Sequence, residues 1–525
     1  MMGGNLGRTA GILAGICGAS LHGQSVNHAR SVLPVAQEVL ASHFADADGD
    51  GLLDLYVAVQ DSPTSRSVLL YRQQEGRLFP AQPDERIAVP KAVVCWTVGR
   101  FTAGSRGSDL VYLARDAAFV RGRDGALRKL SIGRMLLDMP SDEDLPWWPH
   151  TSDEDGDGLD ELILVLETGF EVMAADGTSR GTIELSQLAD RNPAAEGNLF
   201  GGSLHATLSS QEMSDVFIPN DDIGVIELPP ALFSSVRLPA PVLADVDGDG
   251  RLDLSYYNSN KIYLHLQSAD GQFSNQPSLV LRLDRESDSD ESRLEWVDLG
   301  GSGAADLLLV RSVEGGATSF SSDWQLRVWR DPALTSQPVP VTEEEPEPAA
   351  LERVLAAPSV FLKVSATFLR SYIEDLNGDG QRDLGLSAWD LDIPMLGAGE
   401  GTLTHSASAH LTGVDGAVSI RPAFAVDREF GIADLESLRD VPAFAMDLTG
   451  DGRADMVEST KSGNVEVRAL VADGTGWSPS REASFRIPVD AADSGLEVLD
   501  LNHDRIGDFV VTRRGQIEVY LSQHK

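Results

Sequence analysis

Six short segments of this chain carry oxygen-bearing side chains at every second position. Each segment has nine residues, with such side chains at positions 1, 3 and 5 and a carboxylate at position 9. The segments are DADGDGLLD (46–54), DEDGDGLDE (153–161), DVDGDGRLD (245–253), DLNGDGQRD (375–383), DLTGDGRAD (447–455) and DLNHDRIGD (500–508). Oxygens in this spacing can converge on one divalent cation, and Ca²⁺ accepts about six to eight of them in flexible geometry.

Each segment predicts a small set of ligands for one ion. The side chains at positions 1, 3, 5 and 9 and the backbone carbonyl at position 7 would surround the ion, and glycine at position 6 tolerates the positive φ of a sharp turn. The predicted ligands are Asp46, Asp48, Asp50, Leu52 and Asp54; Asp153, Asp155, Asp157, Leu159 and Glu161; Asp245, Asp247, Asp249, Arg251 and Asp253; Asp375, Asn377, Asp379, Gln381 and Asp383; Asp447, Thr449, Asp451, Arg453 and Asp455; and Asp500, Asn502, Asp504 and Asp508.

Calcium is the predicted ion, with about five ions in the chain. Magnesium fits less well because it requires near-octahedral geometry, and zinc is not expected because the sequence has no cluster of cysteine and histidine. The alternative is a set of solvated acidic turns that hold no ion. Several carboxylates within a few ångströms of one another would then repel.

The six segments are not equivalent as ion sites. Those that begin at Asp46, Asp153 and Asp245 have carboxylates at positions 1, 3 and 5. The next two segments are weaker candidates for an ion site, because position 3 is Asn377 in the first and Thr449 in the second. The last segment has histidine and arginine in place of two glycines and is a weak candidate.

Short apolar runs follow the acidic segments and predict strands rather than helices. Examples are LYVAV (55–59), LILVL (162–166) and FVVT (509–512), and a second run such as SVLLYRQ (67–73) or IEVYLS (517–522) follows after a turn. Runs of this length that contain β-branched and aromatic residues favour strands. Two further stretches, 99–113 and 297–310, keep this layout but lack the acidic set, so the chain has eight units.

These features resemble the VCBS and FG-GAP repeat proteins, whose repeats form β-propellers similar to the head of integrin α subunits. The DxDGDGxxD segments and the strands that follow them carry the resemblance, over roughly residues 30–525. The Phe-Gly and Gly-Ala-Pro signatures of one branch are not clearly present, so the VCBS form fits better. The resemblance implies calcium-binding loops at the matching positions and a role in interaction or cell adhesion.

The predicted fold is all-β, a propeller of eight, alternatively seven, four-stranded blades with calcium-binding loops. A propeller closes on itself and leaves few free strand edges. The run at 31–44 is a candidate N-terminal strand that completes the last blade and closes the ring. Stretches near 191–215 and 336–355 are predicted insertions in a single propeller of residues 30–525.

Net charge and the N-terminal residues limit the expected cellular location and the expected classes of partner. A formal charge of −39 argues against nucleic acid and anionic membranes as partners. The run TAGILAGICGASL (9–21) predicts a signal peptide over 1–23 and a secreted, cell-surface or periplasmic protein. After its removal Cys95 would be the only cysteine, which excludes an intramolecular disulfide. No membrane insertion is expected, and the propeller is expected to be monomeric.

No catalytic motif is evident, and two classes of function remain open. The first is a non-catalytic interaction module for an extracellular protein or glycan. The second is a carbohydrate-active enzyme, similar to polysaccharide lyases, with a basic and aromatic central funnel. Adjacent Trp147 and Trp148 could stack on a sugar ring, or they could pack within and between the blades.

Overall fold

A computed structural model describes the fold of this chain. The described residues are 26–74, 78–135, 143–166, 169–184, 198–199, 241–258, 261–283, 291–313, 321–338, 352–392, 401–438, 441–472, 477–488 and 495–523. The predicted signal peptide lies outside them, as do nearly all of the predicted insertion near 191–215 and the central part of that near 336–355.

The described strands form eight antiparallel four-stranded blades in a ring, a β-propeller. Strand β1 (Asn27–Pro34) belongs to blade 8. Blade 1 contains β2 (Glu38–Ala45), β3 (Asp54–Ser62), β4 (Ser65–Tyr71) and β5 (Glu85–Ala88). Blade 2 contains β6 (Cys95–Gly99), β7 (Asp109–Ala114), β8 (Ala117–Arg121) and β9 (Leu127–Ser131). Blade 3 contains β10 (Thr151–Ser152), β11 (Glu161–Leu166), β12 (Gly169–Met173) and β13 (Ser179–Glu184).

The remaining blades repeat this order with additions. Strand β14 (Asn198–Leu199) pairs with the first strand of blade 5. Blade 4 contains β15 (Val242–Ala244), β16 (Asp253–Asn258), β17 (Lys261–His265) and β18 (Leu279–Arg282). Blade 5 contains β19 (Glu291–Val297), β20 (Asp306–Val313), β21 (Ser322–Trp329) and β24 (Val360–Ala366). Blade 6 contains β25 (Phe368–Glu374), β26 (Asp383–Asp392), β27 (Thr402–His410) and β28 (Phe424–Gly431).

Blades 7 and 8 complete the ring. Blade 7 contains β29 (Phe444–Ala445), β30 (Asp455–Ser459), β31 (Asn464–Arg468) and β34 (Phe485–Pro488), beside the small hairpin of β32 (Leu470–Ala472) and β33 (Trp477–Pro479). Blade 8 contains β35 (Gly495–Leu499), β36 (Asp508–Arg513), β37 (Gln516–Gln523) and β1. The all-β, eight-bladed prediction is confirmed, and each acidic segment precedes the second strand of a blade.

The N-terminal strand closes the ring, but the single candidate strand at 31–44 is in fact two strands. Residues Asn27–Pro34 pair antiparallel with β37 and complete blade 8, whereas Glu38–Ala45 begin blade 1. The chain passes from one blade to the next in the short stretch between them. Predicting one continuous strand therefore missed the point at which the ring is joined.

Strands between β21 and β24 extend blade 4. Strand β22 (Gln337–Pro338) pairs with β23 (Glu352–Val354), and β23 pairs in parallel with β18. The Lys261 ammonium contacts the Glu352 carboxylate at 2.8 Å across this junction. The ends of the second predicted insertion therefore join blade 5 to the outer edge of blade 4.

The hydrophobic core is divided among the spaces between the blades. Within the described ranges, seven clusters of buried residues fill these spaces, and one of them joins blades 8 and 1 through residues such as Leu33, Leu55 and Val519. The described helices are a four-residue α-helix, α1 (Pro332–Thr335), and a 3₁₀ turn (Ile432–Ser437). Among the residues that the structure describes, no helix has the length and apolar character that crossing a bilayer requires.

Candidate metal centres

All six acidic segments lie at the same end of the ring. Each connects the first to the second strand of its blade, in blades 1, 3, 4, 6, 7 and 8. First strands of neighbouring blades contact one another, as in the pairs β6 and β10, β15 and β19, and β25 and β29, so these strands surround the central axis. The topology therefore places the acidic loops around the mouth of the central channel.

Backbone hydrogen bonds connect one loop with the next around this mouth. An N–H near the end of a loop donates to a carbonyl near the start of the preceding loop, as Ser108 does to Asp46 (2.7 Å) and Ala305 does to Asp245 (2.8 Å). The bond from the Leu53 N–H to the Leu501 carbonyl (3.3 Å) does the same between blades 1 and 8. In the described part of the chain, such bonds join neighbouring loops at six of the eight junctions between blades.

The carboxylate at position 1 organises the turn. In the blade 4 loop, Asp245 Oδ1 accepts the N–H groups of Gly248 (2.8 Å) and Asp249 (3.0 Å), and its Oδ2 accepts that of Gly250 (2.8 Å). Gly248 and Gly250 have φ of 79° and 85°. These angles lie in the left-handed region that glycine adopts without a steric penalty, which explains the Gly-Asp-Gly core of the motif.

The carboxylate at position 9 is buried in every blade. Its side chain accepts a backbone N–H from near the start of the same unit in all eight blades, at 2.7–3.1 Å. The eight residues are Asp54, Asp109, Glu161, Asp253, Asp306, Asp383, Asp455 and Asp508, each no more than 2% exposed. Because the units without an acidic set share this bond, position 9 has a structural role that needs no ion.

Burial also changes the acidity of position 9. Desolvation raises the pKa of Asp54 to about 7 and that of Asp253 to about 6, although backbone N–H donors favour the ionised form. The neighbouring carboxylates at positions 3 and 5 raise both pKa values further. A cation bound between these groups would favour their ionised forms and oppose the effect of burial.

Three loops bring their carboxylate oxygens together. Within the described residues, oxygens lie within 4.8 Å of one another in three groups: Asp46, Asp48 and Asp50; Asp153, Asp155 and Glu161; and Asp245, Asp247 and Asp253. Two ligands of one Ca²⁺ are at most about 5 Å apart, because Ca–O distances are about 2.3–2.6 Å. These are the three segments with carboxylates at positions 1, 3 and 5, and their all-oxygen donor sets fit a hard divalent cation.

The blade 3 loop has a further feature of an ion site. Asp153 Oδ1 is buried and has no hydrogen-bond partner within the described part of the chain. The guanidinium of Arg180 lies 2.9 Å from Asp155 Oδ2, and that of Arg100 lies 3.4 Å from Asp153 Oδ2. These two arginines offset part of the negative charge, so an ion here would share the carboxylates with them.

The other three loops keep the turn with weaker donor sets. In blade 6 the Asn377 amide donates to Asp379 Oδ2 at 3.0 Å. In blade 7 the Thr449 hydroxyl donates to Asp455 Oδ1 at 3.2 Å. The contact of the Arg453 guanidinium with Asp451 Oδ2 at 2.7 Å has a counterpart in blade 4, where Arg251 contacts Asp249. Position 3 of the blade 7 loop, Thr449, therefore already has a partner within the loop.

The blade 8 loop forms the same turn without the two glycines. His503 and Arg505 have φ of 57° and 67°, and they are two of the three non-glycine residues with positive φ in the described part of the chain. Asp500 Oδ2 accepts the Arg505 N–H at 2.9 Å, as position 1 does in the other loops. The hydrogen-bond frame therefore imposes this conformation on residues that disfavour it.

The two adjacent tryptophans lie in different environments. Trp148 is 3% exposed, and its Nε1 donates to the Ile163 carbonyl at 3.1 Å within the core of blades 2 and 3. The Trp147 ring stacks on His43, with centroids 3.6 Å apart, and packs edge-on against Trp96. The pair therefore does not form one exposed platform.

A cavity of about 450 Å³ opens among the loops of blades 4, 5 and 6. Asp245, Asp298, Gln381 and Arg382 contribute polar groups to its lining, beside the partly buried indole of Trp296. Sequence reasoning did not identify this cavity, because its lining comes from three separate repeats. It places the position-1 carboxylate of one predicted ion site beside a concave surface.

Comparison with known proteins supports the repeat assignment over one segment. The family model described as FG-GAP-like repeat matches residues 245–309, which run from the blade 4 loop through the later strands of blade 4 and into β20 of blade 5. No curated protein matches this chain.

Solved structures resemble the chain only distantly. A lectin from Agrocybe aegerita that recognises non-reducing terminal N-acetylglucosamine has 13% identity and a TM-score of 0.33, covering 87% of this chain and 93% of its own. The WD40 domain of SCAP from fission yeast has 9% identity and a TM-score of 0.41, covering 94% and 98%. The V. cholerae biofilm matrix protein Bap1 has 11% identity and a TM-score of 0.36, covering 95% and 91%. At these scores the matches carry no inference about function.

Proposed function

We propose that this chain is a secreted calcium-binding β-propeller of the VCBS and FG-GAP type, similar to the integrin α head. It acts as a non-catalytic interaction or adhesion module for an extracellular protein or glycan. The observation that carries the calcium assignment is that equivalent loops of three blades each bring three carboxylates together. In each loop the carboxylate oxygens lie within 4.8 Å of one another. The FG-GAP-like match at 245–309 includes one of the three.

The bound ions would stabilise the loops and complete a binding surface. In each loop, positions 1, 3, 5 and 9 and the carbonyl at position 7 supply oxygens, and the backbone frame holds them in place before an ion enters. Calcium at the blade 4 loop would lie beside the cavity lined by Asp298 and Arg382. Such a surface suits a partner with carboxylate or hydroxyl groups, because these are the oxygens that complete a calcium shell.

The alternative of a polysaccharide lyase-like enzyme gains no support from the tryptophan pair. Trp148 is buried, and one face of Trp147 is covered by His43. A funnel enzyme would need an aromatic platform and several cations in one pocket. Among the described residues that line the cavity at the loop end, Arg382 is the single cationic side chain.

Metal content and stability test the proposal. Purified mature protein should contain calcium by mass spectrometry, and its removal by EDTA should lower the melting temperature, because an ion that binds only the native state stabilises it. Asp245→Asn should lose about one calcium, whereas Asp298→Asn, in the blade 5 unit with Gly300 and Ser302 at positions 3 and 5, should lose none. A protein without calcium, or an EDTA melting curve equal to that in calcium, would refute the assignment.

A further inference from the structure

In several blades, one residue at or just beyond the end of the third strand contacts the acidic loop. This residue, here named the latch residue, donates its backbone N–H to the second oxygen of the position-9 carboxylate. Gln73 donates to Asp54 Oδ1 (2.8 Å), and Gln267 donates to Asp253 Oδ1 (2.9 Å). The latch residues of blades 5, 6 and 8 are Asp331, Thr412 and Ser522, with bonds of 3.0, 2.7 and 2.6 Å.

The side chain of the latch residue points at the loop where its contacts are formed. In blade 8 the Ser522 hydroxyl lies 3.0 Å from Asp504 Oδ2 and accepts a bond from the Asn502 amide at 3.1 Å. These are positions 5 and 3 of that segment. In blade 5 the hydroxyl of Ser302, again position 5, donates to Asp331 Oδ1 at 3.0 Å. In blade 6 the Thr412 hydroxyl donates to the Arg382 carbonyl at 2.6 Å, so in all three blades the latch side chain reaches the acidic segment.

In blades 1 and 4 the latch residues are buried glutamines with unpaired amide atoms. Gln73 and Gln267 are each 3% exposed. Both amide atoms of Gln73 and the side-chain carbonyl oxygen of Gln267 lack a hydrogen-bond partner among the described residues. An unpaired buried polar group costs about 1–3 kcal/mol of folding stability. A partner for the amide oxygens, such as a bound cation, would remove that cost.

We propose that the side-chain carbonyl oxygens of Gln73 and Gln267 are further calcium ligands for the loops at Asp46 and Asp245. This inference rests on the proposed calcium binding and adds a ligand that the nonapeptide does not contain. Amide carbonyls are ordinary calcium ligands, and the added oxygen brings each shell from five protein ligands to about six. It also satisfies a buried oxygen that otherwise has no partner.

The residue at the latch position differs among the blades. Continuing the strand register places Leu470 at the latch position of blade 7 and Ala175 at that of blade 3. Leu470 is fully buried and its side chain offers no oxygen. The loops at Asp46 and Asp245 should therefore bind calcium more tightly than the loop at Asp447, which also lacks an acidic residue at position 3.

Substitution of Gln267 tests the proposal in two conditions. Gln267→Leu copies the side chain found in blade 7 and should weaken calcium binding at this loop by about tenfold or more. At limiting calcium, mass spectrometry should find about one ion fewer per chain. In EDTA the same variant should melt at or above the temperature of the wild type, because it replaces an unpaired buried amide with an apolar group.

Two companion variants separate ligand loss from general damage. Gln267→Glu keeps an oxygen and adds charge, so it should retain the ion in calcium and destabilise the protein in EDTA. Gln276→Leu, at an exposed glutamine in the same blade, should change neither calcium content nor melting. Asp247→Asn should lose the same ion as Gln267→Leu, since Asp247 belongs to the blade 4 cluster.

These variants distinguish a failure of the Gln267 ligand from a failure of calcium binding as a whole. If Asp247→Asn loses an ion and Gln267→Leu keeps it with wild-type affinity, the latch ligand is refuted and the proposed function stands. If the wild-type protein binds no calcium at all, the proposed function fails, and this inference fails with it.

Discussion

The buried carboxylate of Asp306 allows the structural role of position 9 to be measured apart from any ion. Asp306 lies in blade 5, where positions 3 and 5 are Gly300 and Ser302. Its Oδ2 accepts the Leu299 N–H at 3.1 Å, and its Oδ1 accepts the Asp331 N–H at 3.0 Å. Asp306→Asn keeps the shape of the side chain and replaces one acceptor with a donor.

The expected loss follows from these two bonds. Whichever way the substituted amide is oriented, one backbone N–H faces its NH₂ group. Both this N–H and the NH₂ group are then buried donors without an acceptor. A buried unsatisfied group costs about 1–3 kcal/mol, so we expect a loss of roughly 2–4 kcal/mol in the free energy of unfolding. Asp306 is 1% exposed, so water cannot easily replace the lost bond.

Urea unfolding followed by tryptophan fluorescence measures this loss, once in calcium and once in EDTA. The loss should be equal in both, because blade 5 lacks the acidic set. Asp323→Asn, at an exposed aspartate of the same blade, should stay within about 0.5 kcal/mol of the wild type. A loss below about 1 kcal/mol would refute the structural role, and a loss confined to calcium would show that Asp306 is a metal ligand.

Three further predictions concern the ring, the turn and the buried histidines. Leu33→Ala, at a fully buried residue of the blade 8–blade 1 cluster, should cost about 2–5 kcal/mol by urea unfolding, while Val32→Ala at its exposed neighbour should cost far less; equal losses would contradict the closure by β1. His503→Gly should stabilise the protein by about 0.5–1 kcal/mol, because φ of 57° disfavours histidine, and a lower unfolding midpoint would contradict this reasoning. Burial lowers the pKa of His405 to about 4, below the unfolded value of about 6.5, so the unfolded chain takes up a proton first as the pH falls. The wild type should therefore lose stability relative to His405→Gln between about pH 6.5 and about pH 4, when the unfolding free energies of both proteins are measured across that range.

The repeating unit could be predicted because its signals are local. A nine-residue acidic segment followed by a short apolar run identifies the loop and the second strand together, as at 245–253 and β16. The stretch at 297–310 kept its glycines and its terminal Asp306, so the unit remained visible after the acidic set was lost. Eight such units predict eight blades, since each unit builds one sheet.

The features that sequence reasoning missed depend on contacts between distant residues. The break between β1 and β2 falls at residues 35–37, between two runs of similar composition, and the pairing with β37 reveals it. The parallel pairing of β18 with β23 joins residues that are far apart in the chain, Val280 with Glu352 for example, and no local pattern encodes it. Likewise, Gln73 and Gln267 lie outside the motif, and only the strand register places them beside it.

The pairing of β1 with β37 has a mechanical consequence. Asn27 lies opposite Gln523, so both ends of the described ring leave blade 8 at the same place. Tension applied between these two ends would peel the strands apart one residue pair at a time, which requires little force. Both ends lie at the loop end of the ring, because Ser522, next to Gln523, contacts Asp504 of the blade 8 loop. Pulling the two ends apart would therefore open the ring on the same side as the acidic loops.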